Sequence, residues 1–421
     1  MRNNISMPTT TVTAVGLAAA ITCALAIMAT QSAQAQTYQV IYSFTGHSSA
    51  MHPIGGVTVD QHGNVYGTTA WGGAFDGGTA YELRRAGSDF VFDLIHNFGG
   101  GADGSFPWDA PTFGPNGTLY GTTGIGGTHG EGTVFNLQPP ANFCRSESCP
   151  WHETTLYNFA RQGDGGNPQA GVIFDASGNI YGTNVNGGGG SVGVVYEMTP
   201  SHGSWTYQVL YTFTDGQDGA YPSSLLIFDS AGNLYGTTTS GGLPGCQGFG
   251  CGTVYKLTSS GSGWAEHTLY SFLDGTDGSA PSAGVLMDSA GNLYGATPGS
   301  NVTGGTVFEL TPSGGNWTFN LAYDLSGDGP GPTQNLVRDA AGNLYGATWG
   351  DGLYGQGVVF KLTPANGGWT YTSLHDFTGG SDGGNALGGL TMDSNGNIYG
   401  TTYMGGLPGC GYCGVVFEIT P

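Results

Sequence analysis

Histidine is scarce in this chain of 421 residues, with nine in all, yet three fall among carboxylates. His47, His52 and His129 share the first third of the chain with Asp76, Asp103, Asp109 and Glu131. Imidazoles with carboxylates are the donor set of a transition-metal site or of a general acid and base. The plainer alternative is a scatter of solvated loop residues. A second acidic series comprises Asp215, Asp218, Asp274 and Asp277, with Asp164, Asp328 and Asp382 in similar surroundings. Clustered carboxylates suit a hard cation, which makes calcium the candidate cofactor. Asp-Gly pairs also make tight turns by side-chain to backbone hydrogen bonds, and neither an EF-hand nor a nonapeptide calcium pattern is present. Capture of a basic partner is the third alternative. Trp71, Trp108, Tyr221 and Trp349, with Tyr354 and Tyr403, stand near glycine-rich stretches. There they either stack on sugar rings or cover strand edges.

No other catalytic constellation is legible. Gly-x-Ser-x-Gly, His-Glu-x-x-His and a phosphate-binding loop are all absent, and Gly187 to Gly190 precede no helical pattern. Beyond Cys23, the cysteines form three local pairs: Cys144 with Cys149, Cys246 with Cys251, and Cys410 with Cys413. An even count in an exported chain points to disulfides, each stiffening a small loop more than the whole fold. Zinc is the alternative for the Cys-x-x-Cys at 410 to 413.

The elements that position these residues follow from a repeat. The phrase Asn-(aliphatic)-Tyr-Gly-(Thr/Ala)-Thr, with Thr118 opening the second copy and Asn184 ending the third, places tyrosines at Tyr66, Tyr120, Tyr181, Tyr235, Tyr294, Tyr345 and Tyr399, spaced 54, 61, 54, 59, 51 and 54 residues apart. So long and regular a period means one supersecondary unit copied along the chain. In the unit from Leu225 to Phe272, Leu225 to Asp229 reads as an inner strand and Asn233 to Thr238 as the signature strand. Thr253 to Leu257 and Trp264 to Phe272 supply the third and fourth. Glycine inside a strand costs about 0.5–1 kcal/mol against alanine. Its repetition after the tyrosine therefore implies close approach of a neighbouring blade or an aromatic cover. The tyrosine itself is expected to fill the wedge between units and to hydrogen-bond through its hydroxyl.

Four short antiparallel strands per unit, without helical periodicity, describe a propeller blade. The expected fold is an all-β, seven-bladed β-propeller of four-stranded blades. Tyr38 to Phe44 matches the outer strand of other units, while the last unit stops after Val415 to Thr420. The N-terminal strand is therefore expected to complete the last blade and close the ring, where an open solenoid would need caps. In such a ring the loops into the inner strands and those between strands two and three share one face. That face carries the long loops and most of the candidates above, and loops on a rigid scaffold are the usual home of binding sites.

Residues 1–35 read as a signal peptide: Arg2, an apolar run from Val12 to Thr30, and Ala33-Gln34-Ala35 as a cleavage site. The domain expected after cleavage is 36–421, secreted or held in the cell envelope of a bacterium, with no membrane span and as a monomer. The formal net charge is −21, and glycine reaches 81 residues. That charge repels nucleic acid and anionic membranes. Alternating aromatics and aliphatics argue against disorder.

The repeated Gly-Asn-Leu-Tyr-Gly-Thr-Thr, followed by phrases such as Gly305-Thr306-Val307-Phe308-Glu309-Leu310-Thr311-Pro312, resembles the GloVer tandem repeat of bacterial exported "choice-of-anchor" proteins. The likeness covers essentially all of the chain after the signal. It implies repeat architecture and export and brings no catalytic residues. Members often carry a C-terminal sorting segment, for which Pro421 offers no apolar tail. The function expected is a binding module for an extracellular or cell-surface polysaccharide or protein. The alternative is an extracellular polysaccharide hydrolase or lyase working on the long-loop face. One polar pocket with carboxylates or histidines at the channel mouth would favour the enzyme.

Overall fold

The computed structural model describes residues 36–46, 50–140, 150–261, 263–299, 305–325 and 330–420. Seven antiparallel sheets of four strands each form a propeller ring. Blade one consists of Val57–Val59, Val65–Thr69, Thr79–Ala86 and Asp89–Asn97, from the axis outward. The seventh sheet runs Thr391–Met392, Ile398–Thr402, Val415–Thr420 and then Thr37–Ser43. The N-terminal strand thus completes the last blade, as the sequence led us to expect.

The inner strands are shorter than the sequence suggests. Leu225 to Asp229 reduces to Ile227–Phe228, and the equivalent strand of blade one is only Val57–Val59. Residues just before these strands bond to neighbouring blades instead of their own ladder; Ala110 N–H, for example, donates to Gly55 O at 2.9 Å.

Each residue type in the signature has a separate task. A Cβ on Gly236 would lie 2.5 Å from Tyr255 Oη, on the facing third strand of the same blade. The same conflict, with Tyr or Phe, recurs at Gly67, Gly121, Gly182, Gly295, Gly346 and Gly400. The glycine therefore makes room for an aromatic cover within its own blade. The tyrosine fills the seam to the next blade: Tyr66 packs with Leu119 and Phe135, and Tyr235 with Val285 and Phe308. Its hydroxyl donates to the aspartate ending the inner strand, at 3.0 Å for Tyr235 and Asp229, except in blade two, where Gly114 replaces the aspartate and Tyr120 Oη accepts from Asn116 Nδ2 at 3.1 Å. Asp229 also accepts the N–H groups of Ala231 and Asn233, both at 2.9 Å, and Asn233 Nδ2 at 2.7 Å. One carboxylate thus closes the turn and anchors the tyrosine. The threonine after the glycine ties blade to blade, Thr237 Oγ1 donating to Ala283 O at 2.9 Å and Thr122 Oγ1 to Ala170 O at 2.8 Å.

Cys246 is bonded to Cys251, beside the 3₁₀ turn Cys246–Gly248, and Cys410 to Cys413. The second bond removes the zinc alternative at that pair. Cys144, Cys149, His47 and Asp328 lie outside the described residues, as does the signal region 1–35.

Candidate functional site

Antiparallel alternation brings the loops into the inner strands to the same end of the ring as the loops between strands two and three. The large apolar side chains exposed among the described residues are concentrated there. All but Val91 and Leu321, which sit on outer strands, belong to loops of this face. Solvation would ordinarily scatter such residues singly over a surface, so their confinement to one end sets this face apart from the other.

In six blades the entering loop has a fixed backbone and a changing side chain. His52, Phe106, Asn167, Tyr221, Ala280 and Asn385 occupy one equivalent position in six blades, all with φ between 51° and 58°. Five of them precede a proline, which further disfavours helical backbone. Two backbone bonds impose the conformation. Phe106 N–H donates to Gly77 O of the preceding blade at 2.8 Å, while Phe106 O accepts from Gly124 N–H at 3.0 Å. Tyr221 does the same with Val192 and Thr239, at 2.7 and 3.3 Å. Left-handed backbone costs a bulky residue on the order of 1–3 kcal/mol, and glycine would relieve it. A chain this rich in glycine nonetheless keeps histidine, phenylalanine and tyrosine there.

Four loops of this face, two that enter blades and two between strands two and three, build a continuous arc of rings. Tyr412 meets Tyr403 with centroids 6.1 Å apart, and His52 stacks on Tyr403 at 4.4 Å and 29°. His52 meets Trp71 edge-on at 6.5 Å, and Trp71 meets Phe106 edge-on at 4.4 Å. The arc crosses blades seven, one and two. Trp71 and Tyr412 keep 41% and 54% of their surface exposed, so part of each residue is open to solvent. Two residues beyond Phe106 is Trp108. A Cβ on Gly124 would stand 2.2 Å from Trp108 Nε1, so glycine there lets the indole lie against the backbone.

Trp108 also belongs to a cavity of about 180 Å³ on the ring axis. Its wall takes one residue from each blade: Ile54, Trp108, Gln169, Ser223, Ser282, Thr333 and Leu387, with Gln334 beside them. None is charged. Next to Trp108, Asp109 accepts Gly171 N–H at 2.7 Å and Ala110 N–H at 2.8 Å. The residue keeps some exposed surface while its carboxyl group is enclosed; burial pushes its pKa up to about 6, against the pull of these two donors.

The histidine and carboxylate candidates are dispersed. Asp103 accepts Gly99 N–H at 2.8 Å and lies 3.5 Å from His96 Nε2. Glu131 lies 3.6 Å from Arg161 Nη1, Asp76 accepts Gly72 N–H at 3.2 Å, and His129 is exposed. Among the described residues no three His, Cys, Asp or Glu side chains converge as metal ligands. The acidic loops do turn chemistry. Asp218 accepts Thr214 N–H at 2.9 Å and Tyr211 Oη at 3.0 Å; Asp277 accepts Leu273 N–H at 2.9 Å and Tyr270 Oη at 3.1 Å. Asp215 and Asp274 hold the left-handed positions of those turns. Asp164 and Asp382 repeat the pattern with Tyr157 and His375. Trp349 sits in blade six, where its carbonyl accepts Asn385 Nδ2 at 2.8 Å. Phe106 and Tyr412 are absent from the sequence candidates. The signal that would have found Phe106 is the residue before proline, compared across the repeats.

The profile of the Gloeobacter/Verrucomicrobia repeat matches residues 27–246, 145–338 and 298–421. The chain belongs to this family. No curated protein sequence matches it. Two solved structures share the fold of this Gloeobacter/Verrucomicrobia repeat protein. The extracellular domain of a protein described as a hybrid two-component system, BT3049 from B. thetaiotaomicron, is 13% identical, with a TM-score of 0.52 over 91% of this chain. The match spans 41% of that chain's length. The polysaccharide lyase Uly1 is 13% identical, with a TM-score of 0.53 over 93% of this chain and 94% of its own. At such identities the likeness concerns the fold. No helix among the described residues of the repeat protein is long and apolar enough to cross a membrane.

Proposed function

We propose that this protein is an exported binding module that holds polysaccharide on its long-loop face. The aromatic arc Tyr412–Tyr403–His52–Trp71–Phe106 carries the reading. Aromatic faces bind the apolar faces of sugar rings by burying carbon-bound hydrogens, and rings held by packing lose little entropy when they do so. A signal peptide over 1–35 and a domain over 36–421 accord with the disulfides at 246–251 and 410–413, which suit an oxidising compartment. The catalytic alternative has one observation in its favour, the raised carboxyl of Asp109 beside the channel. Both its oxygens already accept backbone N–H groups, and the neighbouring cavity is lined by uncharged residues, so binding is the better supported reading.

Affinity gel electrophoresis of the exported chain against neutral and anionic polysaccharides tests this. Retardation by at least one polymer is expected, lost in Trp71→Ala and Tyr403→Ala with the unfolding midpoint little changed. No retardation by any polymer, or retardation indifferent to both substitutions, overturns it.

A further inference from the structure

Equivalent positions in successive blades lie on one circle about the ring axis, and the arc follows that circle through the left-handed residues His52 of blade one and Phe106 of blade two. The next two positions on the circle are Asn167 of blade three and Tyr221 of blade four, at φ of 53° and 58°. Asn167 is half-buried, yet its amide bonds to no described residue and is not closed off from solvent. A Cβ on Gly124 would lie 3.2 Å from Asn167 Oδ1 and 2.2 Å from Trp108 Nε1, so the amide stands beside the indole that follows Phe106 in its loop. Tyr221 is 36% exposed, and among the described residues its ring meets no other ring and its hydroxyl no hydrogen-bonding group. Neither stacking nor a hydrogen bond inside the protein accounts for a bulky residue at this strained angle, and residues so strained cluster at ligand contacts. Beyond Tyr221 the circle changes character. Ala280 of blade five has no group to offer, and Asn385 of blade seven commits its amide to Trp349 O.

We propose that the bound polysaccharide continues past Phe106 along this circle, with Asn167 hydrogen-bonding the hydroxyls of one sugar and Tyr221 stacking on a later one. The left-handed position is then where four successive blades read the chain, by imidazole, phenyl, amide and phenol in turn. The inference rests on the polysaccharide reading and extends it from the arc to blades three and four.

The test uses the full exported chain with Tyr221→Asn and Asn167→Ala. Blades three and seven already carry asparagine at this backbone angle and blade five carries alanine, so both variants should keep the native unfolding midpoint. Should Tyr221→Asn lower it, Tyr221→Ala, with the blade-five residue, is measured in its place. Gels of hydroxyethylcellulose, xyloglucan, galactomannan and pectin identify a retarding polymer, and fragments of that polymer, fractionated by length, compete against it. Long fragments are expected to bind each variant about three- to tenfold more weakly than the native chain, the worth of one aromatic or hydrogen-bond contact. Fragments short enough to lie on the arc alone should bind all the proteins alike, and Tyr221→Phe should match the native chain throughout. Native-like binding of every length by both variants overturns the proposal, as does a loss of equal size for short and long fragments. In either case retardation that vanishes in Trp71→Ala still supports the arc. If no polymer retards the native chain, the polysaccharide reading and this extension of it fall together.

Discussion

Arg85 of blade one donates from Nη1 to Tyr399 Oη of blade seven at 3.0 Å, joining residues 314 apart in sequence across the seam where the ring closes. The same guanidinium lies 3.4 Å from Glu418, which in turn accepts Tyr399 Oη at 2.7 Å. Glu418 and Tyr399 are buried, so the arginine compensates a shielded carboxylate. Arg85→Ala is expected to lower unfolding free energy by about 1–3 kcal/mol in urea titration. Arg85→Lys should recover part of the loss. A loss below the error of the titration would show the seam to be held by strand pairing alone.

Two outer-strand carboxylates give stability a definite pH slope. Burial, the larger cause, and the nearby Asp103 raise the pKa of Glu153 to about 7; burial and Asp218 do the same for Glu266, against the hydrogen bonds from Thr155 and Thr268. A carboxyl raised above its unfolded value near 4.5 adds stability below that value and loses it as pH passes 7. The exported chain should therefore unfold more easily at pH 8 than at pH 5.5. Glu153→Gln with Glu266→Gln should flatten the slope, by on the order of 1 kcal/mol per site after solvent screening. His96 and His375, whose pKa values burial lowers against the pull of Asp103 and Asp382, lean the other way: their contribution is complete above about 6.5 and falls in acid. Thermal midpoints measured from pH 5 to 8 check both limbs.

The architecture was legible because every blade restates it. Tyr235 and Gly236 mark a strand that recurs seven times and fixes the ring, and Asp229 and Asn233 mark its turn in every blade but the second, where Gly114 and Thr118 stand instead. The chain termini gave the closure because a strand pattern beginning near Tyr38 needs a sheet, and the last blade lacks an outer strand. The candidate site was legible in part. Trp71 and Tyr403 stand out as aromatics in glycine-rich loops, but contact between them runs through His52 and depends on the ring bringing blades seven and one together. Spacing alone grouped His52 with Asp103 and Glu131, although each of those carboxylates is engaged within its own loop or with the next blade.

Crowding at the signature glycine predicts strong coupling across the sheet. Gly236→Ala would push a methyl group to 2.5 Å from Tyr255 Oη, a distance that packing cannot accept without displacing the ring. The single variant is expected to lose about 1–3 kcal/mol. Tyr255→Leu alone should also destabilise, by emptying part of a fully buried site. The double variant should be more stable than the sum of the two losses allows, because leucine leaves the methyl its space. Strict additivity in urea titration would contradict the cross-strand account.

Asp109 separates its structural task from any chemical one. Its carboxylate receives Gly171 N–H from the next blade, and an amide oxygen can do the same work: Asn335 Oδ1 accepts Gly284 N–H at 2.6 Å between blades six and five. Asp109→Asn should therefore fold normally. The native carboxyl, raised to about 6 chiefly by burial, contributes stability that is lost as pH rises through that value. The variant should match the native protein near pH 4 and exceed it at pH 8. Polysaccharide retardation should survive the substitution, since the arc is untouched. Were the protein a lyase or hydrolase with Asp109 as its base, product formation from the retarded polymer would occur with the native chain and vanish with Asp109→Asn. Reducing-end or unsaturated-product assays on both proteins, run beside the gels, decide between a latch that happens to carry a proton and a base that uses one.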